Sequence, residues 1–297
     1  MYIVLAGLII GSAALTFAFD DVEKAGGDGD WREALQEENE SLLKENKEVE
    51  EGDEFTVDYN METIEKNNFY LENDIEPIGF GAWQFTIDNS GLLSVVSLLT
   101  IIIAAGIVAN EFRWGTIKLL LIRPISRTKI LISKYISVLI FAFITLLFVV
   151  GLSWITGALF FGVEGANPEI ALSKSSGIES VSTISEVISA YGYGLVNLVM
   201  MTTFAFMIST IFRNSSLAIG TAIFLMMAGS MIVGIFEDRP FAKYILFANT
   251  DLKQYADGYV WIEGMTLGFS ITVLLVYYVI FVGLSWIFFA KRDVAGQ

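Results

Sequence analysis

Six runs of residues, at 1–19, 91–110, 135–163, 195–212, 217–236 and 265–290, contain no Asp, Glu, Lys or Arg. An α-helix rises about 1.5 Å per residue, so about 20 apolar residues cross a hydrocarbon layer of about 30 Å. Lipid offers no partner for a backbone N–H or C=O, and a single uncharged run of this length satisfies its own groups only as a helix. The chain is 54% hydrophobic, above the roughly 45–50% usual in a soluble domain, and its mean hydropathy is +0.61. The expected fold class is therefore an all-α polytopic membrane protein with six transmembrane helices.

The segments between the runs differ sharply in charge. Residues 111–134 hold Arg113, Lys118, Arg123, Arg127, Lys129 and Lys134 against Glu111. The short turn 213–216 adds Arg213, and the tail 291–297 adds Lys291 and Arg292 against Asp293. Residues 20–90 are the opposite, with 22 acidic and 5 basic residues in a chain of net charge −15. Basic residues stay on the cytoplasmic side of a membrane. This predicts that 111–134, 213–216 and both termini face the cytoplasm. The segments 20–90, 164–194 and 237–264 then lie outside, in a multi-pass protein of a bacterial plasma membrane. Only Met1 precedes the apolar stretch of the first run, Tyr2–Phe19. A cleaved signal peptide needs a basic start and a small-residue cleavage site, and this run has neither, so it is expected to stay as a span.

The segment 20–90 reads as an acidic, partly helical extracytoplasmic domain. Within it, Leu35, Leu42 and Val49 recur every seven residues with Asn39 and Asn46 between them, as in a short coiled-coil seam. Two readings stand: a helix packed on its own outer domain, or a seam for a second copy or an outer partner. Phe80, Trp83 and Phe85 precede the second span and suit an interfacial aromatic belt. The loop 164–194 shows no pattern of its own, and 237–264 reads as a loop or a re-entrant segment.

Several kinds of chemistry are excluded. The chain has no Cys and no His, which removes disulfides, thiol catalysis, Cys/His zinc sites and every His-based triad. No ionisable group lies inside a span, where a secondary transporter or proton relay carries its coupling ion. Asn197 is the clearest polar side chain within a span, and reads as a helix–helix hydrogen bond. Tyr191-Gly192-Tyr193-Gly194 lacks the glycine and lysine of a phosphate loop. Small residues four apart, Gly7 and Gly11, Ser230 and Gly234, Gly264 and Gly268, permit close helix packing. No catalytic residue, metal ligand or cofactor site is expected, and no nucleic-acid partner. Membrane lipids are the expected surroundings.

The segment 111–134 is too apolar for a solvated linker. Ile117, Leu120 and Leu121 share one face of a helix. Pro124 ends that helix, because the residue before proline disfavours the helical region. Ser126 is placed to cap a second helix that runs into the third span. A basic amphipathic stretch resting on the bilayer, or charges that only set topology, are the plainer alternatives. Neither explains a glycine, a proline and an apolar stripe together.

The order Glu-x-x-x-Gly-Thr, an apolar run, Pro-x-Ser-Arg and a Lys before the next span, here Glu111, Gly115, Thr116, Pro124, Ser126, Arg127 and Lys134, resembles the permease subunits of ABC-2 type transporters. The six-span layout agrees along the rest of the chain. The resemblance implies that 111–134 is a coupling segment seated on a separate ATP-binding subunit, with Glu111, Arg113, Gly115, Thr116, Leu120, Pro124, Ser126 and Arg127 in the contact. It also implies two copies of that subunit, ATP and Mg bound there and not in this chain, and a second permease chain, identical or not. The implied function is export of a lipid-like or amphipathic peptide cargo, along a path lined by spans such as the second and fifth. Family members begin with a cytoplasmic helix before the first span, and this chain departs from them there. A self-contained transporter or channel, and a membrane-anchored sensor working through the acidic segment, are the competing classes.

Overall fold

The computed structural model describes residues 1–19, 30–48, 54–77, 79–116, 124–163, 165–166, 168–212 and 214–290. Among them, six helices are long and apolar enough to cross a membrane. These are α1 (Tyr2–Phe19), α5 (Leu93–Arg113) with the short α4 (Ala82–Asp88) and a 3-10 turn (Asn89–Leu92) before it, α6 (Arg127–Phe160), α7 (Thr183–Phe212), α8 (Ser215–Phe236) and α10 (Leu267–Ala290). The acid-rich region contributes α2 (Trp31–Glu48) and α3 (Glu54–Asn73), and Lys253–Asp257 forms the one-turn α9.

The spans pack around a central pair. α5 and α7 lie side by side and run the same way: Leu93 meets Gly194 near one end, and Ser209 Oγ accepts from the N–H groups of Val108 and Ala109 near the other. α6 crosses this pair in the opposite sense, meeting α4 through Gly157 and α5 through Lys134. A cluster of buried residues from α5, α6, α7, α8 and α10, including Ile101, Val108, Val138, Phe206, Ala222 and Leu274, fills one half of the bundle. A second cluster joins α1, α4, α5, α6 and α7 through Leu5, Ile9, Phe85, Val96 and Val149. α1 and α8 are peripheral. The exposed side chains of α8 include Phe224, Met227 and Met231, whereas among the large apolar residues of α5 only Ile102 and Ile103 are exposed. Of the second and fifth spans, the fifth therefore keeps a broad free face and the second is largely enclosed.

The fold is mostly helical but not all-α. Within 164–194, expected to be a loop, Glu169–Lys174 (β1) and Gly177–Ser182 (β2) form an antiparallel hairpin. Its free edge is tied to α3, where Ala171 N–H donates to Tyr70 Oη at 2.9 Å. Thr183 then begins α7, twelve residues before the apolar run that marks the fourth span. Those first turns carry Glu186, in the first turn where an acid suits the helix dipole. Glu186 is buried and pairs with Lys253 at 2.9 Å. Burial disfavours charge on Lys253, but Glu186 and Asp257 outweigh it and raise its pKa.

The asparagine seam of α2 is filled from within the chain. Asn60 donates to Asn46 at 2.8 Å, Asn67 to Glu38 and Asn39 at 2.9 Å each, and Asn39 to Asn68 at 3.1 Å. α2 and α3 are thus an antiparallel helical hairpin, with Leu35 and Ile64 buried in it; the seam position Val49 lies outside the described residues. Phe80, Trp83 and Phe85 do more than mark an interface. Trp83 meets Trp154 edge-on, Phe80 meets Phe161, and Phe85 is buried. α4 can sit this close to α6 because position 157 is glycine: an added Cβ would come within 2.9 Å of the Ala82 backbone. The loop 237–264 folds as two 3-10 turns and α9 around a polar knot, in which Asn249 donates to the carbonyls of Lys243 and Ile245 and accepts from Ser270. The helix–helix bond expected of Asn197 is not made by its carbonyl, since Asn197 Oδ1 is buried without a partner.

Candidate functional site

The end of α5 shows how the sequence builds this corner. The helix terminates at Trp114, whose N–H bonds to Asn110 O at 2.8 Å, and at Gly115, whose N–H bonds to Phe112 O at 3.2 Å. Gly115 has φ +70°, the left-handed conformation that ends many helices and that costs a residue bearing a Cβ about 1–2 kcal/mol. The turn brings Thr116 back onto the helix it has just left, and its hydroxyl donates to the Glu111 carboxylate. The other carboxylate oxygen of Glu111 accepts from Lys134 Nζ at 2.7 Å, and Lys134 also donates to Ile107 O at 3.3 Å. Glu111, Thr116 and Lys134 form one cluster that clamps the end of α5 to the first turns of α6. The two ionic side chains are 23% and 17% exposed, so water screens the pair only in part.

The start of α6 is fixed as firmly. Ser126 has extended backbone, φ −64° and ψ 143°, and its hydroxyl accepts from Lys129 N–H at 3.4 Å, the N-cap expected of it. Arg127 donates to Ala290 O at 3.4 Å, and Trp286 Nε1 donates to Thr128 Oγ1 at 3.0 Å. Both bonds tie α6 to the last turns of α10. Ser215 Oγ bonds Asn110 Oδ1, and Asn214 Oδ1 caps α8 by accepting from Ser216 and Leu217 N–H. The same end of the bundle thus gathers the end of α5, the start of α6, the turn between α7 and α8, and the end of α10.

Of the residues marked by sequence, Glu111 and Thr116 meet directly, Gly115 makes the turn between them, and Ser126 and Arg127 anchor the next helix. Pro124 is exposed just before the cap, and Arg113 is exposed on the last turn of α5. Leu120, with Ile117, Leu121 and the helix expected of them, lies outside the described residues. One residue of the motif was not assigned to the contact, and one residue escaped the sequence reading. Lys134 completes the cluster around Glu111, and Trp114, 69% exposed, presents a full indole beside Arg113. A tryptophan one turn past the end of an uncharged run is the pattern that points to it, although membrane interfaces favour that residue in any case. No group of three or more acidic, His or Cys side chains suited to a metal occurs among the described residues.

Comparison with known proteins adds the family. A Bacillus subtilis (strain 168) protein named "Uncharacterized protein YhcI" is 42% identical over 294 residues, covering 97% of this chain and 92% of its own length. A second protein of that organism, "Uncharacterized membrane protein YdbK", is 35% identical over 203 residues, 67% of this chain and 78% of its own. The six apolar helices and the name of that relative agree on a membrane protein. The family model described as "Protein of unknown function (DUF2705)" matches residues 56–295, and the chain belongs to this family.

Proposed function

We propose that the chain is the membrane-spanning permease subunit of an ABC transporter of the ABC-2 type, driven by a separate ATP-binding subunit and exporting a lipid-like or amphipathic peptide cargo. The observation that carries this reading is the pair Arg113 and Trp114, exposed on a helix end that Glu111, Thr116 and Lys134 hold rigid. Tryptophan and arginine are the side chains that most often anchor protein interfaces. A docked subunit that pulls on this corner moves α5 and α6 together, because the ion pair spans both. ATP binding favours a closed ATPase dimer, and the permease has inward- and outward-facing states, so this corner lets one equilibrium bias the other.

In this reading the clustered basic residues put the α5–α6 corner and both termini in the cytoplasm of a bacterial cell. The α2–α3 hairpin, rich in Asp and Glu, then forms an extracytoplasmic domain beside the β1–β2 hairpin. A second permease chain, identical or related, completes the complex, with two ATP-binding subunits carrying ATP and Mg. The middles of the spans carry no charge, which suits an amphiphile better than an ion.

The test is a photo-crosslinking amino acid placed at position 114 in cells. The expected adduct is a soluble protein carrying the glycine-rich phosphate loop of an ATPase. Adducts with lipid alone would mean that Trp114 is a membrane anchor and would remove the support for this reading.

A further inference from the structure

α3 carries a stripe that the rest of the fold covers only in part. Phe55, Tyr59, Glu62, Lys66 and Tyr70 follow one another at intervals of three or four residues, and so share one face of the helix. The β1–β2 hairpin packs on the later turns of this face, where Ala171 N–H donates to Tyr70 Oη and Lys66 and Tyr70 line a small cavity with Ile170 and Leu172. Lys66 is also held by Glu62 at 2.8 Å. The earlier turns run on past the strands: Phe55 is 82% exposed and Tyr59 63%. Two rings one turn apart, about 6 Å along the axis, thus extend an interface that the chain already makes.

Negative charge runs through the same surface. Phe55, Asp58, Tyr59 and Glu62 stand at i, i+3, i+4 and i+7, so the exposed Asp58 lies beside both rings. α2 and α3 together hold 11 acidic and 4 basic residues. Of the basic ones, Arg32 is bound to Asp30 and Asp74, and Lys66 to Glu62. Three kinds of occupant meet this surface badly. An apolar one, such as the bilayer interior, covers the rings only by taking the Asp58 carboxylate out of water without a partner. A hairpin from a second copy brings charge of the same sign. A small cation meets the carboxylate and leaves the rings in water. A helix with Leu or Phe beside Lys or Arg meets both: its apolar side chains rest on Phe55 and Tyr59, and its cations reach Asp58 and the faces of the rings.

We infer that this face of α3 docks a cationic amphipathic peptide. The inference rests neither on the ATP-binding subunit nor on the sidedness of the spans. The full chain is placed in nanodiscs of phosphatidylcholine. Binding of a fluorescein-labelled peptide of Leu and Lys, patterned as an amphipathic helix, is followed by anisotropy against empty nanodiscs. Phe55→Ala with Tyr59→Ala should weaken binding by about tenfold or more, as loss of interface aromatics does. Asp58→Asn should weaken it by about threefold and flatten its dependence on salt. Met61→Ala, at an exposed position about 200° around the helix from Tyr59, should leave it unchanged. A peptide with Glu in place of each Lys should not bind. Binding no greater than to empty nanodiscs, equal affinity for the two peptides, or unchanged affinity in the double variant overturns the proposal. The chain has no cysteine, so Tyr59→Cys carries a single spin label. Collision of that label with a water-borne nickel chelate is expected. Collision with membrane-dissolved oxygen instead would place the face on the bilayer, and a disulfide between copies of the unlabelled variant would place a second copy on it; either result overturns the proposal too.

Discussion

Removing the charge of Glu111 tests whether the α5–α6 corner is a mechanical joint. Glu111→Gln keeps the volume and an acceptor for Thr116, and leaves the Lys134 ammonium without its carboxylate at 2.7 Å. Stranding one partner of a fully buried pair costs about 3–5 kcal/mol, and exposed pairs contribute about 0.2–1 kcal/mol. With side chains 23% and 17% exposed, this pair falls between those limits, at about 2 kcal/mol. Lys134→Met strands the acid instead, and the double variant removes both charges. The three proteins and the wild type, unfolded in mixed micelles and followed by tryptophan fluorescence, close a double-mutant cycle. The two single losses should exceed the loss in the double variant, with a coupling of about 2 kcal/mol. Losses that add to within about 0.5 kcal/mol would refute the clamp, and with it the argument that α5 and α6 move as one.

Three other outcomes follow from single positions. Gly115→Ala meets no neighbour within 4 Å but must hold φ +70°, so it should destabilise by about 1–2 kcal/mol in the same assay; Asn, which tolerates this conformation, should cost less. Gly157→Ala drives a methyl to within 2.9 Å of the Ala82 backbone, whereas Gly151→Ala enters open space; the first should lower stability by about 1–3 kcal/mol and the second should leave thermal unfolding unchanged. Asn67→Ala removes two bonds that join α2 and α3; nicking of the intact protein by protease should rise in that hairpin and not in the spans.

What the sequence revealed divides along a physical line. Features written in local chemistry were legible. Uncharged runs near 20 residues mark helices because lipid leaves no alternative, and each of the six runs coincides with one. Ser126 before an apolar run marks a cap because its hydroxyl reaches the third N–H within the same turn. Features that depend on distant partners were not legible. The β1–β2 hairpin is held by Tyr70, about a hundred positions away, and its strands lack a clean alternation. The start of α7 at Thr183 is sustained by Lys253 at the buried Glu186, and Ser, Gly and Tyr dilute the hydropathy there. Asn39 and Asn46 announced a seam but not its other side, although Asn60 and Asn67 repeat the same seven-residue interval on α3. At the corner, Glu111, Gly115 and Thr116 were visible as a motif. That Lys134 joins them required two helices brought together in space.

The central claim is that Arg113 and Trp114 dock a separate ATP-binding subunit. The most direct measurement is gentle purification from the native membrane, with mass spectrometry of what accompanies the wild-type chain and an Arg113→Glu/Trp114→Ala variant. Both side chains are exposed, so the variant should fold and insert as the wild type does. The account predicts that an ATP-binding subunit accompanies the wild type and is lost from the variant. A wild-type chain that purifies alone, or a variant that keeps the ATPase, would contradict it.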